Sequence, residues 1–416
     1  MNNTQHYDYI IIGGGVAGTT AAETIRRQNP NVSIALFEAE DEFLYSRVML
    51  PHFIRGKQNR DSVFLRNRDN YIEQRIEFFR GKVATAIHPE KKEISFGEKE
   101  HVHYDKLLVA MGGRPREWNV GYPESMPIFR MQTLSDADSI KKFINIESSV
   151  PRSVAVIGGG FIGLEFVESF VAAGIHVDLF LRGERCFGGR VSEKFLGVMK
   201  QIHRGRNITV HRSTEVTSVK EKGGGIFELT TTKGVVDTHG AALGIGIVRN
   251  LDLVEEAGLA VDRGVKTNQY LQTANPDIFA AGDVAQYVRQ GNTLDGLSGT
   301  WSGAAIQGTM VGGNILGQKE AFGKVPAYTI LHFGMHIGFV GESYCKEMEV
   351  VVRDDGTHNP YAEFYFQNGI LRGATVVGMP KAIGILLRWI QEKKITLAAR
   401  EQLESPAIDL KEIENE

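Results

Sequence analysis

Apolar residues in this chain fall into solid runs, alternating runs and one helical stripe, and part of that order occurs twice. Tyr9-Ile10-Ile11-Ile12 is a solid run of the kind that predicts a strand buried on both faces. It stops at Gly13-Gly14-Gly15-Val16-Ala17-Gly18, and a helix-like segment follows. The succession returns 145 positions later, from Tyr9 to Val154, as Val154-Ala155-Val156-Ile157 and then Gly158-Gly159-Gly160-Phe161-Ile162-Gly163. Each copy leads to a second strand, residues 34–37 and 177–181. Further strands are predicted at 81–87, 93–96 and 107–110, and a helix at 135–143 with a capping serine or aspartate near its start. Residues 208–237 alternate like antiparallel strands, with a hairpin turn at 222–225. Residues 275–284 predict a strand ending in Gly282-Asp283, and Thr300-Trp301 opens a helix through Gln307 to Leu316. From about Val325 the pattern changes to strands at 349–352 and 361–366, an Asn368-Gly369 hairpin turn and a strand at 370–377. Pro380 leads into a helix whose stripe, Ile383, Leu386, Leu387 and Ile390, is core or a subunit contact.

The repeated glycines are spaced G-x-G-x-x-G, and that spacing has a physical purpose. The first glycine makes the turn, the second lets a pyrophosphate approach the backbone, and the third lets helix and strand pack closely. The helix start then offers free N–H groups and partial positive charge to phosphate. One copy is weak evidence, because glycine turns before helices are common; two copies in the same context point to two dinucleotides. In the first copy Glu38 ends the second strand, where a carboxylate holds ribose hydroxyls. In the second copy Leu181 occupies that place and Arg182, Arg185 and Arg190 follow. Arginines there accommodate a 2′-phosphate, so the pattern leans to NADPH over NADH, with Glu184 among them against it. Arg47 is placed to reach a phosphate or ribityl oxygen. Asp283 is either a ribityl-hydroxyl acceptor or a helix N-cap, and Trp301 is placed to flank a flavin ring. The pair Gly112-Gly113 before Arg114-Pro115 reads as a turn where backbone passes close to something.

Length and composition narrow the class. At 416 residues the chain suggests two or three domains. With 42% apolar and 23% charged residues it is ordinary globular material, and a net charge of −3 gives no support to a nucleic-acid or anionic-membrane partner. The two cysteines, Cys186 and Cys345, form no C-x-x-C or C-x-x-x-x-C pair, which argues against an internal dithiol. The polar stretch 1–8 lacks the layout of a signal peptide, and no apolar run is long enough for a membrane helix, so a cytoplasmic protein without metal is expected.

The series Gly13–Gly18, Glu38, Tyr45–Pro51, Gly112–Pro115, Gly158–Glu165, Thr273–Val284 and Trp301–Gly308 spans the chain. It resembles, in order, the two-dinucleotide-binding-domain flavoproteins of the pyridine nucleotide-disulfide oxidoreductase superfamily. The resemblance implies an α/β fold with two Rossmann-like domains and a small α+β C-terminal interface domain. The expected boundaries are 1–110 with 245–324 for the FAD domain, 111–244 for the NAD(P)H domain and 325–416 for the interface domain. It implies FAD held by Gly13, Gly15, Val16, Ala17, Gly18, Glu38, Arg47, Gly112, Gly282, Asp283 and Trp301. NAD(P)H would be held by Gly158, Gly160, Phe161, Ile162, Gly163, Glu165, Arg182 and Arg185. Val83 and Gly246 are further cofactor-binding candidates.

Thiol-using branches of the superfamily carry cysteine in the Tyr45 loop; Val48 stands in the single-cysteine position here. The loop and the Trp301-x-x-Ala304-x-x-Gln307-Gly308 segment are instead similar to NAD(P)H-dependent rubredoxin and ferredoxin reductases. They are also similar to the flavoprotein portion of nitrite reductase and to apoptosis-inducing-factor relatives. Ferredoxin reductases pair a lysine at the end of this loop with the glutamate of the second motif, and the matching residues, His52 and Glu165, are the catalytic candidates. The implied activity is hydride transfer from nicotinamide to flavin, then electron transfer to a small carrier protein, with a homodimer through the C-terminal domain as one possible assembly. Two alternatives stay open: an oxidase or quinone-type small-molecule reductase, and a redox-responsive binding protein.

Overall fold

A computed structural model describes residues 5–146, 152–288, 296–297 and 299–415, so Met1–Thr4 of the polar N-terminal stretch lie outside the described residues. Contacts gather the chain into two units whose sequences interleave. The first takes residues 1–49, 58–114 and 247–323; the second takes 50–57, 115–246 and 324–416.

The first unit is built on a seven-stranded sheet. Its solid apolar run becomes the strand Gln5–Ile12, flanked in parallel by Ile34–Phe37 and Glu100–Val109. Ile278–Ala280 joins Glu100–Val109 in parallel, and Glu93–Phe96 and Ala86–His88 extend the edge antiparallel. Covering one face, the helix Val16–Gln28 packs against Trp301–Ile315 through small residues. A Cβ on Gly308 would collide with the Ala17 carbonyl, and one on Gly312 would lie 2.9 Å from both Ala21 O and Thr24 Cβ. Glycines at these two positions bring the helix backbones together; the burial of Ala17, Ala21 and Val311 follows.

The second unit holds a five-stranded parallel sheet, in order Ile208–His211, His176–Phe180, Ser153–Ile157, Ala241–Leu243 and Ile128–Phe129. Helices Phe161–Ala172 and Leu134–Ile144 meet over it through Phe129, Phe143 and Phe170. The same unit holds the antiparallel C-terminal sheet Ala327–His332, Met335–Gly341, Ile370–Val377, Tyr361–Gln367 and Glu349–Asp354. The helix Ala382–Glu392 covers that sheet with Leu386 and Trp389 fully buried, so the predicted stripe is core.

One fully buried carboxylate joins the two parts of this unit. Glu363 accepts hydrogen bonds from Tyr361 Oη and Tyr365 Oη (2.7 Å each), Ser192 Oγ (2.5 Å) and Ser192 N–H (3.2 Å). Four donors replace the water that burial removed.

Several expectations are corrected. Residues 81–85 are not strand; only Ala86–His88 is, because Lys82 N–H is committed to Glu38 O (2.9 Å) and Thr85 to Ser95 O. Residues 208–211 are parallel, and the antiparallel set is Val216–Gly223, Ile226–Thr231 and Gly234–Thr238. The 134–144 helix is capped by Thr133, with Asp136 closing a capping box, not by serine or aspartate at the cap itself. Asp283 is no N-cap; it lies inside the three-residue turn Gly282–Val284. The Tyr45 loop contains a short helix, Leu50–Ile54, with Pro51 in its first turn where no N–H is needed.

Candidate functional site

The two glycine turns fold alike. Gly13 and Gly158 have φ of +107° and +98°, and a Cβ on either would strike the backbone of the next strand, at Ala110 and Gly244. Gly18 and Gly163 abut the carbonyls of Gly13 and Gly158. At the middle positions the space is open: a Cβ on Gly15 meets nothing within 4 Å, and one on Gly160 only Gly244 O at 3.9 Å. That is where backbone access to a pyrophosphate is needed. Val16-Ala17 and Phe161-Ile162 open the helices behind the turns, 13 and 12 residues long, which direct their N–H groups at the same space.

In the first unit the Glu38 carboxylate accepts from Gly14 N–H (2.6 Å) and Glu40 N–H (3.0 Å), and burial pushes its pKa up. Arg47 is held by Glu40 (2.6 Å), which also accepts from Tyr45 Oη (2.6 Å). Gly282 (φ +79°) donates its N–H to Gln307 Oε1 (2.7 Å). Gln307 is fully buried, and its Nε2 has no hydrogen-bond partner. Such an idle donor beside Asp283 fits the polar chain of a bound dinucleotide. Burial raises the Asp283 pKa to about 6, against the pull of Arg249 and Arg47. Gly112 (φ +58°) accepts from Asn250 N–H (3.4 Å) at a turn with open space beside it. Trp301 begins a helix capped by Thr300, whose hydroxyl accepts from Gly303 N–H (3.1 Å). Val83 is 60% exposed, next to the strand-end backbone of Glu38 through Lys82.

In the second unit Phe161 packs on Tyr328 (4.0 Å), Phe187 (5.2 Å) and Phe339 (5.3 Å). Gly246 (φ +93°) accepts from Arg116 N–H (3.0 Å) with nothing beside its Cβ position. The arginines after the strand end separate. Arg182 is 85% exposed and paired to Glu215 at 3.5 Å. Arg185 turns into a small cleft with Leu181, Cys186, His203 and Arg212, where Arg185 Nη1 and Arg212 Nε are buried without hydrogen-bond partners.

Glu165 is partly buried, and loss of solvent around its carboxylate lifts its pKa to about 7; Arg55 opposes that rise and Glu168 adds to it. Burial also raises the Tyr328 hydroxyl, with the Glu165 charge adding to it. His52 makes no hydrogen bond or ion pair with Glu165 among the described residues. Its pKa is lowered by burial and by Arg55 and Lys57. The cation that acts on Glu165 is Arg55, one helical turn beyond His52.

Sequence reasoning missed Arg55, Glu168, Tyr328 and Arg212, and left Gln307 as a motif letter without a task. Glu168, three positions after Glu165, and Arg55, three after His52, carried a helical-spacing signal; Tyr328 and Arg212 carried none. Both cysteines are free, Cys186 buried and Cys345 half-exposed. Among the described residues no His, Cys, Asp and Glu group suits a metal ion, and no helix is long and apolar enough to cross a membrane.

Known proteins resemble the chain over two thirds to nearly all of its length. The anthranilate 1,2-dioxygenase system ferredoxin–NAD(+) reductase component of Burkholderia cepacia is 26% identical over 408 residues, covering 97% of this chain and 98% of that protein. Putidaredoxin reductase of Pseudomonas putida is 28% identical over 303 residues, 68% of this chain and 67% of its own. The crystal structure of the covalent putidaredoxin reductase–putidaredoxin complex shares the fold, with a TM-score of 0.90 at 23% identity over 99% of this chain and 98% of that one. Residues 7–308, which contain both glycine turns, Glu38, Glu165, Asp283 and Gln307, match the model of one family, and the chain belongs to it: the pyridine nucleotide-disulphide oxidoreductases.

Proposed function

We propose that this oxidoreductase takes electrons from a nicotinamide dinucleotide and delivers them, by way of FAD, to a small iron–sulfur or rubredoxin-type carrier protein. The observation that carries the reading is the pair of matching turns, each open at its middle glycine, in a chain with Val48 where thiol-using relatives have cysteine. Two dinucleotides are accommodated, and no thiol stands ready to take the electrons. The balance is one NAD(P)H and two oxidised carriers giving NAD(P)⁺, two reduced carriers and one proton. Bound FAD supplies the conversion from a two-electron donor to one-electron acceptors.

The division of labour follows from the residues. The turn Gly13–Gly18 with Val16 and Ala17 holds the FAD pyrophosphate, and Glu38 accepts from its adenosine ribose. Asp283 and Gln307 Nε2 hold the ribityl chain, with Gly282, Gly112, Arg47, Val83 and Trp301 beside it. Gly158, Gly160, Phe161, Ile162 and Gly163 hold the nicotinamide dinucleotide, with Gly246 lining it and Glu165 orienting its reactive end. His52 stays a candidate on the same wall. We read the three functional parts as a split FAD domain at 1–110 with 245–324, an NAD(P)H domain at 111–244 and a C-terminal domain at 325–416.

NADPH is the proposed donor. Leu181 removes the acid that would repel a 2′-phosphate, and Arg185 and Arg212 place positive charge behind the strand end, with Glu184 beside them. Arg182, exposed and paired, contributes less. The relatives named as NAD(+) reductases favour NADH. Anaerobic bleaching of the flavin decides: faster bleaching by NADPH, lost in Arg185→Ala, supports the assignment, and equal or faster bleaching by NADH refutes it. Reduction of an iron–sulfur carrier by the bleached enzyme, faster than its reaction with oxygen, is the expected second step; oxygen alone as acceptor would refute it.

A further inference from the structure

The wall of the second unit next to Glu165 contains a cation with nothing yet to do. Arg55 leaves the short helix Leu50–Ile54, fixed by its N–H to Pro51 O (3.1 Å). Its side chain is 5% exposed, and Nε and Nη1 are buried without a hydrogen-bond partner. A guanidinium does not shed its charge under these conditions, so burial of this kind demands an anion. The nearest carboxylate recorded is Glu168, at 3.9 Å from Nη1 to Oε1, which is too long for a hydrogen bond. Glu168 is also engaged elsewhere: Oε2 accepts from Phe333 N–H (3.2 Å) and lies 3.9 Å from His332 Nδ1.

Glu165 lies one turn before Glu168 on the same helix, and positions three apart share a face. One buried arginine therefore stands 3.9 Å from Glu168, itself one helical turn from Glu165, and Glu168 has another anchor. The groups that face Glu165 are Arg55 from the short helix, Glu168 from its own helix and Tyr328 from the first C-terminal strand. His52 and Lys57 flank Arg55, and His332, kept neutral by burial, stands behind Glu168.

We propose that Arg55 is a positioning residue of this oxidoreductase: its guanidinium, and not the His52 imidazole, is the positive charge that favours the ionised form of the Glu165 carboxylate on the second dinucleotide helix. The assignment rests on the reading of Glu165 as the group that orients the nicotinamide. Glu168 competes for the same cation, so the two neighbours act on Glu165 in opposite directions. Removing Arg55 makes Glu165 harder to ionise; neutralising Glu168 makes it easier.

The experiment is a pH titration of Glu165 in the FAD-loaded protein, by carbon-13 NMR of side-chain-labelled glutamate, with the signal assigned through Glu165→Gln. Arg55→Met is expected to raise the midpoint by roughly one unit, as loss of a nearby opposite charge does. Arg55→Lys should restore most of it. Glu168→Gln, which keeps an acceptor for Phe333 N–H, should lower the midpoint by about half a unit, and His52→Gln should leave it in place. The pH profile of anaerobic flavin bleaching should move with each midpoint. If Arg55→Met does not fold, the Glu168→Gln and Arg55→Lys shifts still decide. A bleaching enzyme whose midpoint ignores Arg55 and Glu168, or follows His52, overturns the assignment of Arg55. Shifted midpoints in a protein that no nicotinamide bleaches overturn the proposal together with the function on which it rests.

Discussion

Gly→Ala is expected to have opposite signs in two helices of this protein, and the difference can be worked out in advance. In a helix interior the change is favourable by about 0.5–1 kcal/mol when the methyl has room. At Gly384, exposed near the start of the helix Ala382–Glu392, the added Cβ meets nothing within 4 Å. Gly384→Ala should therefore stabilise by that amount. At Gly312, in Trp301–Ile315, the same methyl would sit 2.9 Å from Ala21 O and Thr24 Cβ and 3.1 Å from Thr24 Cγ2. Ordinary contact begins at 3.4 Å, so the helix Val16–Gln28 has to retreat by about half an ångström. Overpacking of this kind costs about 1–3 kcal/mol, and the helix-propensity gain offsets under half of the middle of that range. The net for Gly312→Ala is a loss of roughly 1–2 kcal/mol, or about 3–6 °C in Tm at the scaling for units of this size. Calorimetry of the FAD-loaded variants, with flavin fluorescence to mark release, measures both. Gly312→Ala as stable as the parent would show that the seam has slack and that the helices are not held apart by backbone collision. Gly384→Ala destabilising would refute the propensity half.

Three other outcomes follow from buried groups. His203, whose pKa burial and then Arg212 and Arg206 lower to about 4, is neutral in the fold but protonates near pH 6.5 when unfolded. Its stability contribution is thus complete above about pH 6.5 and is lost as pH falls toward 4, by about 1.4 kcal/mol per unit. Urea titrations at three pH values should show a shallower acid limb in His203→Gln than in the parent; parallel limbs would contradict this. Glu363→Ala leaves the Tyr361 hydroxyl and the Ser192 hydroxyl and N–H without their acceptor, at about 1–3 kcal/mol each, while Tyr365 Oη keeps Thr375 Oγ1 (2.7 Å), and should cost clearly more than Ser192→Ala costs in denaturant midpoint. Equal costs would show that water replaces the carboxylate. Cys186, its thiol pushed up to about 12 by burial, should resist a disulfide reagent in the native protein while half-exposed Cys345 reacts, so Cys345→Ser should abolish native labelling.

The glycine turns were legible because their spacing is dictated by backbone geometry alone: Gly13 and Gly158 have to take positive φ, and the sequence has nothing else there. The Asn368-Gly369 turn was legible for the same reason, with φ of +52° and +72°. Direction was not. Residues 208–211 alternate as an edge strand does, and alternation reports which face is buried, not whether the neighbour runs parallel. The 81–85 segment has strand-like composition, but a backbone bond from Lys82 to Glu38 takes it out of the ladder. In the site, Glu38 and Asp283 could be named because their positions are tied to motifs. Arg55 could not, because the role proposed for it comes from burial beside Glu168, one turn from Glu165, and burial is a property of the packed chain.

The interleaving of the two units has a consequence during synthesis. The chain changes unit after residues 49, 57, 114, 246 and 323. The first dinucleotide helix presents Ala17 and Ala21 to a partner, Trp301–Ile315, that is almost 300 residues away in sequence. At about 5–20 residues per second, that face waits roughly 15–60 s on the ribosome before its cover is made. The strand Gln5–Ile12 likewise cannot complete its sheet until Ile278–Ala280 has emerged. Nascent chains stalled just before residue 301 should therefore be sticky, protease-sensitive and unable to retain flavin, however well folded residues 115–246 already are. The speed of translation thus bears on this protein through one helix–helix seam and one late strand pairing.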